Sequence, residues 1–291
     1  MAWDKHQLRC EQNDLPNQPA KAPEVLEAPP ASAPRRPKAL TDPVGVVGSS
    51  QAAPSTSAKR KTLRLLVVRH GESANRTTSN KCPDPGLSEK GHRQAAALAQ
   101  RLLEFEKEAA AGHLRILCSP MLRCLETIRP ALELLPALPH GSCICHGACY
   151  EHGCAGRSFP GTPADEIVER FPQFLATGFS AEGWDYGGQS DKESSQECAI
   201  RAKSVVHMLR QSMEELWESS NGSSPVLILM GHQTLGDLLL HLLLEGDCKE
   251  WQYGTPKYKL KNASISELHV NPNGQVTAKD ISSDYHVSGI R

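Results

Sequence analysis

Three short runs hold the residue types that move a phosphoryl group: Arg69-His70-Gly71-Glu72-Ser73, Ser119-Pro120-Met121-Leu122-Arg123 and Gly231-His232-Gln233. A neutral imidazole nitrogen is a nucleophile that needs no base to deprotonate it. Guanidiniums supply bidentate donors to phosphate oxygens, whose charge redistributes as the bond to phosphorus breaks. Together these groups suggest phosphoryl transfer through a phosphohistidine, chemistry for which no metal and no cofactor is expected. One histidine at the end of a strand is ordinarily a structural residue. Two histidines and two arginines arriving at three strand ends argue instead for a site.

The elements that must position them can be read from the pattern around each run. Thr62 to Val68, Leu114 to Cys118 and Val226 to Met230 are short apolar stretches of the kind buried on both faces of a parallel sheet. Helical spacing of Ala95, Leu98, Leu102 and Phe105 predicts a helix from Ser88 to Ala110, capped by Ser88. A second is expected from Pro120 at the first helical position, with Ser119 as its cap, to about Leu135. Cys198, Ala202, Val205, Leu209, Met213 and Leu216 mark the longest helix, and Leu235 to Leu244 another. Ile265 to Val270, Asn271-Pro272-Asn273-Gly274 and Gln275 to Ile281 read as a closing hairpin. Strands alternating with helices imply an α/β domain with a mostly parallel sheet covered on both faces, and ligands in such folds sit beyond the carboxyl ends of the strands.

The Arg-His-Gly-Glu-Ser run, the Ser-Pro-x-x-Arg run and the late Gly-His, in that order, resemble the histidine phosphatase (phosphoglycerate mutase-like) superfamily over roughly Leu63 to His286. Gly86-Leu87-Ser88-Glu89-Lys90-Gly91 and Asn262-Ala263-Ser264-Ile265 are similar to further family runs. The resemblance implies a three-layer α/β/α sandwich. It implies His70 as the nucleophile, with Arg69, Arg123 and His232 holding the phosphoryl group, and Glu151 in Tyr150-Glu151-His152-Gly153 as the proton donor. Glu72 supports the site by the same analogy, and Ser73 is a candidate for a phosphate oxygen or for a helix cap. Many relatives place an Asn six residues after the nucleophile, where Arg76 stands here. Either Asn75, one residue earlier, reaches the phosphate, or Arg76 adds charge at the substrate mouth.

Residues 157–190 form an insertion between the acid and the last parallel strand, expected as an ordered lid with a short helix that sets specificity. Arg157 is its candidate for a second anionic group on the substrate, against its reading as a surface arginine. Cys143, Cys145, His146, Cys149, His152 and Cys154 invite a zinc reading, but they lack paired Cys-x2-Cys knuckles, so oxidation-sensitive thiols beside the site are expected instead.

The chain has 291 residues, with 32 Lys and Arg against 33 Asp and Glu, and this balance gives no basic surface for nucleic acid. Residues 1–60 contain nine prolines and no apolar periodicity and read as a disordered arm ahead of one catalytic domain over 61–291. No secretory signal or membrane span is expected, which suggests the cytoplasm, with an organellar address encoded in the arm as the alternative. The ten cysteines are then expected to be reduced. The expected activity is hydrolysis of phosphomonoesters on a small phosphorylated metabolite or a phosphoprotein. A mutase is the rival, yet Arg157 to Gly188 has only two bases against five acids, poor support for a bisphosphorylated intermediate. A non-catalytic scaffold on the same fold is the third alternative. Oligomeric state is left open.

Overall fold

The computed structural model describes residues 60–76, 82–136, 138–188 and 190–290. The expected arm over 1–60 lies, apart from Arg60, outside the described residues.

Seven strands form one sheet: β1 (Leu63–Arg69), β2 (Leu114–Cys118), β3 (Cys143–His146), β4 (Leu175–Thr177), β5 (Val226–Gly231), β6 (Ile265–Val270) and β7 (Val276–Ser283). Their order is β4-β3-β2-β5-β1-β6-β7, parallel from β4 to β1 and antiparallel across β1-β6-β7. The helices are α1 (Glu89–Leu102), α2 (Glu106–Ala110), α3 (Leu122–Leu134), α4 (Ala164–Arg170), α5 (Ser195–Ser219) and α6 (Gln233–Leu244). β1 shows why the strands read as unbroken apolar runs. Leu63, Leu65 and Val67 pack on one face with α5 and α6, while Leu66 and Val68 pack on the other with α1 and α3. The result is the three-layer α/β/α sandwich with a mostly parallel sheet. Among the described residues no helix is long and apolar enough to cross a membrane.

Two helix boundaries differ from the sequence expectation. The helix expected over 88–110 is capped by Ser88, which accepts from the Gly91 amide at 3.1 Å, but it gives way to a 3-10 turn at Leu103–Phe105 before α2. The tighter pitch places Leu102 and Phe105, three residues apart, in the same core. The second expected helix starts at Leu122, and Ser119 Oγ accepts from the Met121 amide just ahead of it at 3.2 Å. Its first amide is capped at long range by Asp84, whose oxygens accept from Leu122 N at 3.0 and 3.2 Å. β4, a three-residue edge strand, has no sequence signal of its own.

The segment after the Glu151 loop holds α4 and β4 and has its own small core, in which Trp184 stacks on Tyr150 and meets Phe159 edge-on. Gly161, at φ +94°, lies flat against the Trp184 ring, where a Cβ would sit 2.2 Å from the indole.

Candidate active site

β2, β5 and β1 are neighbours in the sheet, and the backbone ladder carries past their ends: Ser119 N donates to Met230 O at 2.9 Å and His70 N to Gly231 O at 3.0 Å. His70 is held from the other side by the Asn262-Ala263 turn, since its carbonyl accepts from Asn262 Nδ2 and from Ala263 N, both at 3.1 Å. Ala263 adopts φ 55° while fully buried, an unfavourable conformation for a residue with a Cβ, maintained by this packing. Gly71 lets the strand-end loop meet the start of α1, for a Cβ there would lie 2.8 Å from Gly91 O. Its amide donates to Thr127 Oγ1 on α3 at 3.0 Å.

These constraints fix the imidazole as well as the backbone. His70 Nδ1 lies 2.5 Å from Gly71 O, an atom that can only accept, so Nδ1 carries the proton and Nε2 carries the lone pair. Arg123 Nε donates to that Nε2 at 3.1 Å, and Arg123 Nη2 lies 3.3 Å from His232 Nδ1. His232 then donates through Nε2 to Ser119 Oγ at 2.7 Å. One guanidinium therefore sits between two imidazoles whose ring centroids are 5.3 Å apart. Burial lowers the pKa of His70 well below the ordinary histidine value, with Arg123 and Arg69 adding to the effect. Burial, Arg123 and His70 do the same to His232. Both rings are neutral near pH 7.

Arg69 donates through Nη1 to Leu260 O at 2.5 Å, and its buried Nε has no acceptor among the described residues. Burial lowers its pKa; the charge of Glu151 opposes this, while Arg76 and Arg123 reinforce it. Glu151 lies at the N-terminal end of α6, where Oε2 accepts from Thr234 N at 3.0 Å and Oε1 from Leu235 N at 3.0 Å and His152 N at 2.8 Å.

The structure thus brings Arg69, His70, Arg123, His232 and Glu151 together. Arg76, exposed on the 3-10 turn Ala74–Arg76, is near enough to act electrostatically on Arg69 and His70. Asn75 is directed elsewhere, its amide exchanging hydrogen bonds with the backbone of Cys82 at 2.7 and 3.0 Å. Ser73 pairs with Leu87 in an isolated bridge, and its carbonyl accepts from Arg76 N at 3.0 Å. Glu72 accepts from Ser88 Oγ at 3.0 Å, tying the loop to α1. Arg157 is an exposed residue whose amide donates to Ser190 O at 3.2 Å.

The cysteine and histidine cluster disperses. Cys143 and Cys145 belong to the core on the α1 and α3 side and Cys149 to the opposite one, while Cys154 neighbours Arg123. Burial pushes the thiols up, Cys143 to about 11 and Cys149 to about 12, which opposes their ionisation. Among the described residues the donor group with metal-compatible spacing is His152, Glu193 and Cys198. Both Glu193 oxygens already accept from Arg201, at 2.6 and 2.7 Å, which disfavours a second cation there.

Sequence reasoning missed several positioning groups. Ser119, expected as a helix cap, accepts from Met121 N as expected and also orients His232, which the sequence did not signal. Asp84 is buried, raised to about 6 by burial against the charge of Arg123 and the Leu122 amide, and also accepts from Thr162 Oγ1 at 3.4 Å. Arg201 gave one signal: it lies on the buried stripe of α5, between Cys198 and Ala202.

The sheet thus carries a buried histidine pair around one arginine at the carboxyl ends of its central strands. The model of the histidine phosphatase superfamily (branch 1) matches residues 65–280, and the chain belongs to that superfamily, whose activity is of phosphatase or mutase type. Probable phosphatase C1687.21 of Schizosaccharomyces pombe (strain 972) is 40% identical over 80 residues, 25% of this chain and 34% of that protein. The match therefore spans about a third of the length of this curated relative. Two solved structures share the fold at a TM-score of 0.50: Mycobacterial hydrolase 1, 22% identical over 77% of this chain and all of that one, and Bacillus stearothermophilus YhfR, 20% identical over 77% and 99%.

Proposed function

We propose that the chain is a phosphatase that hydrolyses phosphomonoesters through a phosphohistidine on His70, without a metal ion and with Glu151 as proton donor. The observation that carries this reading is the Arg123 guanidinium placed between the lone pairs of two neutral imidazoles, at 3.1 Å from His70 Nε2 and 3.3 Å from His232 Nδ1. An entering phosphate takes over the Arg123 donors and the unsatisfied Arg69 Nε, which releases the His70 lone pair for attack on phosphorus. The Nε2–P bond forms as the bond from phosphorus to the ester oxygen breaks. The departing oxygen receives a proton from Glu151.

Glu151 Oε1 has both lone pairs occupied by amides, whereas Oε2 accepts one amide and keeps one lone pair, the seat of the transferable proton. In the second step water attacks phosphorus, the N–P bond breaks, and the water proton passes to the Glu151 carboxylate. The name of the Schizosaccharomyces pombe relative, a probable phosphatase, supports hydrolysis over mutase transfer. So does the excess of acids over bases between Arg157 and Gly188. A scaffold role finds no support in a site that keeps all five groups. The substrate is a small phosphorylated metabolite or a phosphoprotein, with Arg76 at the mouth rather than Asn75 as the additional contact to its charge.

The test is phosphate release from an aryl phosphate in excess chelator, comparing wild type with His70→Ala. Turnover by wild type alone, with an acid-labile phosphoenzyme, is the expected result. Release by neither protein, or equal release by both, overturns the reading.

A further inference from the structure

Building on the phosphatase reading, we propose that Arg201 and Glu193 act as a clamp that aims Glu151 at the leaving group, making them positioning residues for the proton-transfer half of the reaction. Neither residue belongs to the three runs that define the phosphoryl pocket. Arg201 projects from α5 and is buried, as is Glu193 in the segment just before that helix. Arg201 Nη1 donates to Ala148 O at 2.7 Å and to Tyr150 O at 3.0 Å, the carbonyls that lead into Glu151. Its Nε and Nη2 reach the two oxygens of Glu193 at 2.6 and 2.7 Å, a bidentate pair.

The flanking side chains close on the same pair. Tyr150 OH donates to Glu193 Oε1 at 3.2 Å, and its ring lies under the Arg201 guanidinium at 3.7 Å. On the other side of Glu151, His152 Nδ1 lies 3.4 Å from Glu193 Oε2. The residues immediately before and after the acid are thus both fixed to one ion pair, which leaves the Glu151 carboxyl little choice but the N-terminal amides of α6.

A buried ion pair is an expensive way to hold a loop, because apolar side chains of similar volume often hold as well. What it adds is direction: the donors of a planar guanidinium end on two named carbonyls and one carboxylate. Among the described residues no hydrogen bond of Arg201 or Glu193 reaches Arg69, His70 or Arg123. Loosening the clamp therefore misplaces the proton donor, while His70, Arg69 and Arg123 keep their own hydrogen bonds and His232 loses only the nearby charge of Arg201, a change that bears equally on both esters.

The reaction itself separates the two. A dinitrophenolate leaves without a proton, whereas an alkoxide needs one, and kcat/KM reports the step in which that bond breaks. The experiment compares wild type with Arg201→Gln and with the double variant Glu193→Gln/Arg201→Gln, which leaves no lone buried charge, on dinitrophenyl phosphate and on an alkyl phosphate. Expected is a fall of about 10²-fold in kcat/KM on the alkyl ester and less than about threefold on the aryl ester. Tyr150→Phe, which removes one hydrogen bond and keeps the stack, is expected to give the same split at about threefold, and it serves where the other variants fail to fold by circular dichroism. Equal losses on both esters in a folded variant, or no loss on either, overturn the clamp. Wild type that turns over neither ester overturns the phosphatase reading, and the clamp's catalytic role with it.

Discussion

In the pocket around His70 the functional side chains leave the ends of β1 and β5 or, for Arg123, the first turn of the helix after β2, whereas Glu151 stands on a loop held by side chains from α5 and by the first amides of α6. The first region inherits its precision from sheet register, which pairs Arg69 with Gly231 and Cys118 with Met230 through backbone bonds alone. The second obtains its geometry from long-range side-chain contacts that could differ without disturbing the sheet. Under the proposed mechanism, binding and attack on phosphorus are therefore tied to the fold, while proton delivery to the leaving group can be adjusted separately.

The sharpest way to break this division is to remove the nucleophile. His70→Ala is expected to lower turnover by at least about 10⁴-fold on aryl and alkyl esters alike, measured as phosphate release and as loss of the phosphoenzyme. Arg123→Lys should follow at about 10²- to 10³-fold, because a compact ammonium lacks the planar fork that reaches both imidazoles or binds two phosphate oxygens bidentately. Its defect should also be indifferent to the leaving group. Ser119→Ala leaves the His232 Nε2 proton only Cys124 Sγ at 3.6 Å and deprives the Met121 amide of its acceptor, at about 1–3 kcal/mol, and is expected to reduce turnover about tenfold while the thermal midpoint shows the lost stability.

The pH dependence of stability sharpens the comparison from another side. His70 and His232 are neutral in the folded protein below the pH at which they take up protons when unfolded. The unfolded chain then binds more protons, so stability falls as pH drops below about 6.5, by up to about 1.4 kcal/mol per pH unit for each ring. Asp84 runs the other way. With its folded value raised to about 6, the folded protein binds the extra proton, and that contribution is lost as pH rises through 6. Urea titrations between pH 5 and pH 7.5 should show His232→Asn with a shallower acid slope than wild type, and an unchanged slope would refute the buried neutral ring. The smallest effect is expected from Thr162→Val, which removes only the 3.4 Å hydrogen bond to Asp84: under about 1 kcal/mol, or a few degrees in the thermal midpoint.

The same division explains what could be read from the sequence. His70, Arg69, Arg123 and His232 were legible because each directly follows a strand or opens the next helix, and the strands announce themselves as unbroken apolar runs. The three layers and the closing hairpin followed from the same periodicities. The capping contact of Ser119 was legible from the proline that follows it, but nothing local reveals that the same hydroxyl orients His232 or that Asp84, thirty-eight residues from Leu122, holds the next amide. Asn75 was set beside Arg76 as a phosphate contact by counting from His70, yet its amide bonds to Cys82. Arg201 was passed over because its neighbours Cys198, Ala202 and Val205 read as a core stripe. A guanidinium in such a stripe needs acceptors, and asking which ones would have led to the Glu151 loop.

Trp184 gives the segment over Glu151 an optical signature. Its indole is fully buried, lies nearly parallel to the Tyr150 ring at 5.7 Å, and has an Nε1 with no acceptor among the described residues, whereas Trp217 and Trp251 donate to Lys61 O and Asp237. An indole so shielded emits at the blue end of the tryptophan range. Any displacement of this segment from the Tyr150 face wets the ring and shifts its emission to the red, so the protein carries its own reporter of how this segment is packed.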